Sequence, residues 1–140
     1  MKSPHPICLE PERYRTHPFP IAEELFFVGN RAVSLYLLRT PAGGILLDTG
    51  FPQTVPLLIE ALETIGFSLG ELRWMVCTHA HFDHIGGVRR LKELTGAPVA
   101  LGEADADIPV NRPDLTEAEL YGMKWDQGFV VDRCLHDGDR

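Results

Sequence analysis

The sequence has few cysteines, no long apolar run and no cluster of basic residues. Three cysteines in 140 residues are too few for a disulfide framework, and their odd number leaves at least one free thiol, which fits a reducing compartment. No run approaches the roughly 18 apolar residues that span a bilayer, so we expect no membrane-spanning segment. The 13 basic residues are scattered among 20 acidic ones, which argues against a nucleic-acid-binding surface.

The first 20 residues also lack the apolar segment of a secretory signal and carry five prolines instead. We therefore expect a cytoplasmic protein. Because proline continues neither a helix nor a central strand, residues 1–20 are predicted to form an extended, Pro-rich arm lying over the domain. The chain is 44% hydrophobic, which is enough for one core, so residues 21–140 are predicted to form a single structural unit.

Short β-rich runs separated by turns predict three antiparallel strands early in this unit. They cover Leu25–Val28, Val33–Leu38 and Gly44–Leu47. A helix follows, because apolar residues recur at 3.6-residue spacing from Val55 to Ile65. Thr54 is its predicted N-cap and Gly66 its predicted end.

Helices then alternate with strands. Trp74–Cys77 is apolar without alternation, which is typical of a strand buried on both faces. A second helix is predicted over residues 87–94 and a further strand over Val99–Leu101. A helix crossing between neighbouring strands favours parallel pairing. Antiparallel strands followed by alternating helices and strands predict an α/β fold with a mixed sheet.

The pattern is weaker after residue 102. Residues 103–127 are acidic and contain proline, which predicts an irregular insertion with a short helix from Thr116 to Met123. Phe129–Leu135 is the last predicted strand, and a turn follows it at Asp137 and Gly138.

Residues 78–87, directly after the predicted buried strand, read Thr-His-Ala-His-Phe-Asp-His-Ile-Gly-Gly. The side chains in this segment that can bind metal are His79, His81, Asp83 and His84. Because residues i and i+2 of an extended chain face the same way, His79 and His81 can bind one cation. Asp83 and His84 lie where the chain turns into a helix, point elsewhere and could bind a second. Two metal ions about 3.5 to 4 Å apart can share a hydroxide and polarise a carbonyl or phosphoryl oxygen.

The pattern His-x-His-x-Asp-His would arise by chance in a chain of this composition about 7 times in ten thousand, so it is a specific signal. It resembles the motif of the metallo-β-lactamase superfamily, most closely the third subclass of metallo-β-lactamases and its non-lactamase relatives. The other segments that resemble the family are Pro18–Gly29, Leu46–Gly50, Thr95–Val99 and Val131–Asp139. The resemblance implies an αβ/βα sandwich, of which this chain supplies the first mixed sheet and its helices.

The resemblance also implies roles for the motif residues. His79 and His81 would hold one zinc ion, and Asp83 and His84 the other. Asp83 would orient the shared hydroxide and accept its proton, which makes it the candidate catalytic residue. Asp48 matches the position of an acid that orients the metal ligands in the family. Alternatively it is a turn residue, because Asp is common at strand ends. Zinc is the expected metal, with two ions in a complete site, and iron or manganese are alternatives.

The chain departs from the family pattern because it lacks the ligands of the second half of the fold, among them a histidine in a Gly-His-Thr turn. After His84 the only histidine is His136, which we predict to be a solvated turn residue, as we do His5 and His17 in the arm.

Three hypotheses follow from this departure. The chain is the N-terminal half of a zinc-dependent hydrolase, in which a metal-bound hydroxide attacks the carbonyl of a small β-lactam, lactone or thioester substrate. Alternatively, it is a complete chain that forms a homodimer. In the third hypothesis it is a metal-binding half-domain without turnover. The missing secretory signal counts against a dedicated β-lactamase.

Overall fold

Seven strands form one sheet, in chain order, in the computed structural model, which describes residues 2–140. They are β1 Phe19–Ala22, β2 Leu25–Phe27, β3 Tyr36–Thr40, β4 Gly43–Leu47, β5 Leu72–Cys77, β6 Val99–Gly102 and β7 Arg133–Leu135. Neighbouring strands from β1 to β4 are antiparallel, and those from β4 to β7 are parallel. The predicted α/β fold with a mixed sheet is confirmed.

The helices of residues 2–140, except the first, lie in the connections between parallel strands. They are α1 Pro6–Leu9, α2 Val55–Thr64, α3 Phe82–Ile85, α4 Val88–Thr95 and α5 Ile108–Asn111. Helix α2 connects β4 to β5, and α3 and α4 connect β5 to β6. Such crossovers are right-handed and the strands add in one direction, so these helices lie on the same face of the sheet. None of the helices described in residues 2–140 is long and apolar enough to cross a membrane.

The two faces of the sheet differ in burial. One face packs against the helices, and its central row of fully buried side chains is Leu37, Leu46, Met75 and Val99. Two rows of large side chains cross the opposite face: Phe27, Tyr36, Leu47 and Val76, and Leu25, Leu38, Ile45 and Trp74. We call these eight residues the apolar sheet face. All of them are only partly buried or exposed, and Leu38 is 36% exposed.

This asymmetry corrects the prediction for Trp74–Cys77. The strand was predicted to be buried on both faces, but Trp74 and Val76 are only half-buried while Met75 and Cys77 are buried. The reason is that helices cover one face of the sheet alone.

Helix α2 ends as predicted, because Gly66 adopts φ +78° and the N–H of Phe67 donates to the carbonyl of Leu62 at 2.9 Å. Thr54 is the N-cap by position, as predicted, but its side chain makes no capping hydrogen bond. Its hydroxyl donates to the carbonyl of Phe51 at 3.1 Å, since the residues before the helix form a 3₁₀ turn.

The prediction that residues 1–20 form an extended arm was wrong for much of this segment. Residues 6–9 form α1, and a 3₁₀ turn follows at Pro11–Tyr14. Proline in the first turn costs no hydrogen bond there. His5 Nδ1 accepts the N–H of Ile7 at 3.2 Å, and the Ile7 side chain is fully buried in the core. The boundary drawn at residue 20 falls inside β1.

The segment between β6 and β7 is irregular, as predicted, but differs in detail. The predicted helix from Thr116 to Met123 is replaced by 3₁₀ turns that are separated at Glu117, which has φ +60°. The predicted strand Phe129–Leu135 is also shorter, because only its last residues pair with β6. Val130 is 72% exposed.

Candidate metal-binding site

Residues 78–87, which we call the motif loop, lie at the carboxyl end of β5, between β4 and β6. Ala80 is fully buried, whereas His79 and His81 on either side of it are partly exposed. The two histidines therefore face away from the core together, as the i, i+2 spacing predicted. The chain enters α3 after His81, whose carbonyl accepts the N–H of His84 at 2.9 Å.

The three imidazoles of the motif loop form one cluster. The ring centroids of His79 and His81 are 4.6 Å apart, and those of His79 and His84 are 4.2 Å apart. The prediction that His84 points elsewhere was wrong, because the turn of α3 brings it back beside His79. Burial, followed by the neighbouring His84 and His81, lowers the pKa of His79, which favours its neutral, metal-binding form.

Asp83 and His84 are close enough to share one ion. Asp83 Oδ2 lies 3.4 Å from His84 Nε2. A tetrahedral zinc ion with bonds of about 2.0–2.1 Å separates its ligand atoms by about 3.3–3.4 Å, so the two atoms have the spacing of two ligands of one ion. Hydrogen bonds to Asp48 and then to Asp83 raise the pKa of His84 to about 9.

Asp48 orients two of these histidines through hydrogen bonds. Its Oδ2 accepts from His84 Nδ1 at 3.0 Å and from the Thr78 hydroxyl at 2.8 Å. Since the Thr78 hydroxyl donates to Asp48, its oxygen is left to accept from His79 Nδ1, 2.9 Å away. Both imidazoles therefore donate through Nδ1, and Nε2 is the nitrogen left to bind a metal ion, which on His84 must displace the second proton that its raised pKa keeps at neutral pH. Asp48 is 5% exposed, and its Oδ1 accepts the Thr78 N–H at 2.8 Å.

The loop after β4 also holds the backbone of the motif loop. The N–H and the hydroxyl of Thr49 donate to the carbonyl of His84, at 2.9 and 2.8 Å, and the hydroxyl accepts the N–H of Gly87 at 3.0 Å. A Cβ on Gly87 would lie 2.7 Å from the Thr49 carbonyl oxygen. The close approach of these two loops therefore depends on glycine at this position.

Asp83 is half-buried and contacts a tyrosine that our sequence analysis did not identify. Burial raises the pKa of Asp83, but hydrogen bonds to His84 and Tyr121 outweigh it and hold the pKa below its usual range. Burial, and then Asp83, raise the pKa of Tyr121 to about 12, so its phenol keeps the proton and donates. Tyr121 packs against Phe51 and Phe82, with ring centroids 5.0 and 5.7 Å away. It lies in the irregular segment, where no periodicity indicated its position.

Asp105 is a second residue that the sequence analysis missed. Its Oδ2 accepts the N–H of Ala80 in the motif loop at 2.9 Å. Asp105 comes shortly after the end of β6, as Asp48 comes after the end of β4. This position at the carboxyl end of a strand is the sequence feature that could have indicated its role.

Residues 2–140 do not contain three His, Cys, Asp or Glu side chains arranged to hold one metal ion. The His79–His81 and Asp83–His84 pairs each offer two ligands with the nitrogen and oxygen donors that zinc takes. Their assignment as ligands stays a prediction, and further ligands from outside these residues would complete either site. His136 is exposed, and its Nε2 lies 2.8 Å from Oε2 of Glu103.

Comparisons with known proteins agree with this architecture. The family model described as the metallo-beta-lactamase superfamily matches residues 28–137. Hydroxyacylglutathione hydrolase of Cereibacter sphaeroides is 37% identical over 98 residues, which cover 69% of this chain and 37% of that protein. BJP-1, a subclass B3 metallo-β-lactamase of Bradyrhizobium japonicum, superposes with a TM-score of 0.83 at 28% identity, covering 95% of this chain and 50% of that one. LRA-12, a class B3 di-zinc metallo-β-lactamase from an Alaskan soil metagenome, gives 0.81 at 28% identity, covering 91% and 48%.

The chain thus spans little more than a third of the curated relative and about half of each solved structure. The matched region contains β3 to β7, the motif loop and Asp48. The predicted fold is confirmed, with this chain supplying one mixed sheet and its helices. The chain belongs to the metallo-β-lactamase superfamily.

Proposed function

We propose that this chain is the metal-binding part of a zinc-dependent hydrolase that acts on a carbonyl substrate of the β-lactam, lactone or thioester class. The similar proteins named above are hydrolases, which supports the reaction class. The observation that carries the proposal is the 3.4 Å spacing of Asp83 Oδ2 and His84 Nε2 beside the imidazoles of His79 and His81.

In this proposal His79 and His81 hold one zinc ion, and Asp83 and His84 hold a second. The name of LRA-12 as a di-zinc enzyme supports two ions. Bound zinc lowers the pKa of water and polarises a carbonyl oxygen. The same donors also suit iron or manganese.

The residues of the chain position the ligands and move the proton. Asp48 accepts the Nδ1 proton of His84, so that Nε2 is the nitrogen that binds zinc once zinc has displaced its proton. Asp83 takes up the proton that the attacking water loses, since its pKa is held low and it is ionised at neutral pH. Tyr121 lies beside Asp83 and helps to hold the pKa of its carboxyl low.

Among the substrate classes, we place the thioester first. The curated relative at 37% identity is a hydrolase of hydroxyacylglutathione, whereas the β-lactamases named above are 28% identical. A β-lactam and a lactone remain the other substrates to test.

The test combines zinc binding with hydrolysis. Zinc bound per chain is measured by equilibrium dialysis, and the loaded protein is assayed with an acylglutathione, a lactone and a β-lactam. We expect His81→Ala and Asp83→Ala each to lose at least one zinc ion and all zinc-dependent turnover while remaining folded. His136→Ala is the matched control, because it removes an exposed histidine away from the motif loop. This variant should keep the bound zinc and the turnover of the unaltered chain. Variants that bind and hydrolyse like the unaltered chain would refute the assignment.

A second candidate function is a metal-binding half-domain that acquires activity only with a partner layer. It is favoured by the absence of a three-ligand set in residues 2–140 and by the apolar sheet face. We propose that a second layer of protein covers this face, either the remaining half of the fold or a second copy of the chain. Stoichiometric zinc binding without hydrolysis of any of the three substrates would support this candidate over the first.

A further inference from the structure

The motif loop receives one carboxylate from each of the strands that flank β5. Asp48 follows β4 and accepts from Thr78, and Asp105 follows β6 and accepts the N–H of Ala80 at 2.9 Å. The two acids hold the loop at positions two residues apart. Asp48 also contacts His84, whereas Asp105 contacts the backbone between His79 and His81.

We propose that Asp105 is a positioning residue of the metal site, which holds His79 and His81 on one side of the motif loop by accepting the Ala80 N–H. This inference rests on the proposed function, because it concerns residues assigned there as zinc ligands. The Ala80 N–H belongs to the peptide that joins His79 to Ala80, so a rotation of that peptide changes the directions of both neighbouring side chains.

In the folded chain the hydrogen bond takes the place of solvent at the Ala80 N–H. Ala80 is 0% exposed, so its N–H has no access to solvent, and a buried N–H without a partner carries a full desolvation penalty. Without Asp105 that N–H loses its fixed acceptor, and the peptide is free to rotate and to change the relative directions of the two imidazoles.

Asp105 is itself held in place. Its own N–H donates to the carbonyl of Gly102 at 3.0 Å, and its carbonyl accepts the N–H of Ile108 at 3.0 Å. These bonds fix the turn between β6 and α5, so the carboxylate is presented to the motif loop from a rigid position.

The experiment compares the unaltered chain with Asp105→Ala, Asp105→Asn and the matched control Asp107→Ala. Asp107 lies on the same turn but is exposed and bonds to Asn111 instead of the motif loop. Zinc affinity is measured by competition with a chromophoric chelator. Hydrogen–deuterium exchange of the Ala80 amide is followed by NMR without zinc, and thermal unfolding checks that each variant is folded.

We expect Asp105→Ala to weaken zinc binding by about 10- to 100-fold, as loss of an outer hydrogen-bond partner does at other metal sites. Its Ala80 amide should exchange at least about tenfold faster. Asp105→Asn keeps an oxygen acceptor and should stay within about threefold of the unaltered affinity. Asp107→Ala should change neither measurement.

The possible results separate this inference from the proposed function. An unaltered chain that binds no zinc contradicts the proposed function, and the Ala80 exchange rate then decides whether Asp105 holds the loop. Zinc binding and Ala80 exchange that stay unchanged in Asp105→Ala overturn the inference alone. If Asp105→Ala does not fold, a tenfold loss of affinity in Asp105→Asn overturns it too, because the carboxylate charge would then matter and not the hydrogen bond.

Discussion

The carboxylate of Asp48 accepts three hydrogen bonds from two residues of the motif loop, while its backbone has φ +62°. Asp is one of the few residues that adopt this left-handed conformation at low cost, and its short side chain then reaches Thr78 and His84. Both the backbone and the side chain of residue 48 therefore favour an Asp. Because Asp48 is buried, its carboxylate depends on these donors for its own hydrogen bonds.

Replacing Asp48 with asparagine tests this arrangement at a single atom. Asparagine also tolerates the left-handed backbone, but its NH₂ group cannot accept, so either the Thr78 N–H or the His84 Nδ1–H loses its partner. We expect Asp48→Asn to lower the free energy of unfolding by about 1–3 kcal/mol, measured by urea denaturation. Glu24→Asn is the control, because Glu24 has φ +63° but is exposed, and it should change stability by less than about 0.5 kcal/mol. Equal losses in the two variants would contradict the role of the carboxylate.

At the scale of elements, the sequence was informative where one local pattern determines the structure. The β-rich runs located β2 to β6 to within a few residues, and Gly66 marked the end of α2. The motif loop was predicted at the end of β5, where it lies. These features depend on side-chain period and on backbone conformation, both of which are local.

Features that depend on tertiary contacts could not be predicted in this way. The return of His84 to the side of His79 follows from a single helical turn whose direction no periodicity reveals. Tyr121 and Asp105 lie in an irregular segment, and only the folded chain brings them to the motif loop. For the same reason the half-exposed side of β5 was missed, since it depends on which face the helices cover.

The short strand β7 is held to its neighbours by a side chain in addition to backbone pairing. The carboxylate of Asp132, just before β7, accepts from the Val99 N–H at 2.8 Å and from Lys92 Nζ at 2.5 Å. These contacts connect β7 to β6 and to α4. Partial burial raises the pKa of Asp132, but the bonds to Lys92 and Val99 prevail, so that its pKa is below the usual range.

Asp132→Asn should therefore destabilise the fold in a pH-dependent way. A carboxyl whose pKa is lower in the folded chain stabilises it above the unfolded pKa of about 3.9, and this stabilisation is lost as the pH falls through the folded value. Because the side chain is partly exposed, we expect Asp132→Asn to lower the free energy of unfolding by only about 0.5–1 kcal/mol at pH 7. This difference should disappear when the pH falls well below about 3.9. Urea denaturation at a series of pH values measures it. The exposed Asp137→Asn is the control and should change stability at pH 7 by less than about 0.5 kcal/mol. A difference for Asp132→Asn that stays constant with pH would contradict the ion pair.

On the scale of the whole molecule, the main feature is the difference in burial between the two faces of the sheet. Helices cover one side, and the eight residues of the apolar sheet face line the other. Contiguous apolar surface of this kind is typical of a contact with another layer of protein. The solved relatives are about twice as long as this chain, which supports our proposal that a second layer of protein covers this face.

A charge placed on this face tests whether it associates with protein. We expect the 140-residue chain to self-associate at micromolar concentration in sedimentation velocity, and Leu38→Lys to shift it toward the monomer, because burying an unpaired ammonium in an apolar contact is costly. Leu94→Lys is the matched control. Leu94 is 44% exposed, compared with 36% for Leu38, but lies on α4 on the opposite side of the sheet, so its substitution should leave the association unchanged. If both variants and the unaltered chain sediment alike, the apolar sheet face does not bind a second copy, and the remaining half of the fold is then the proposed cover.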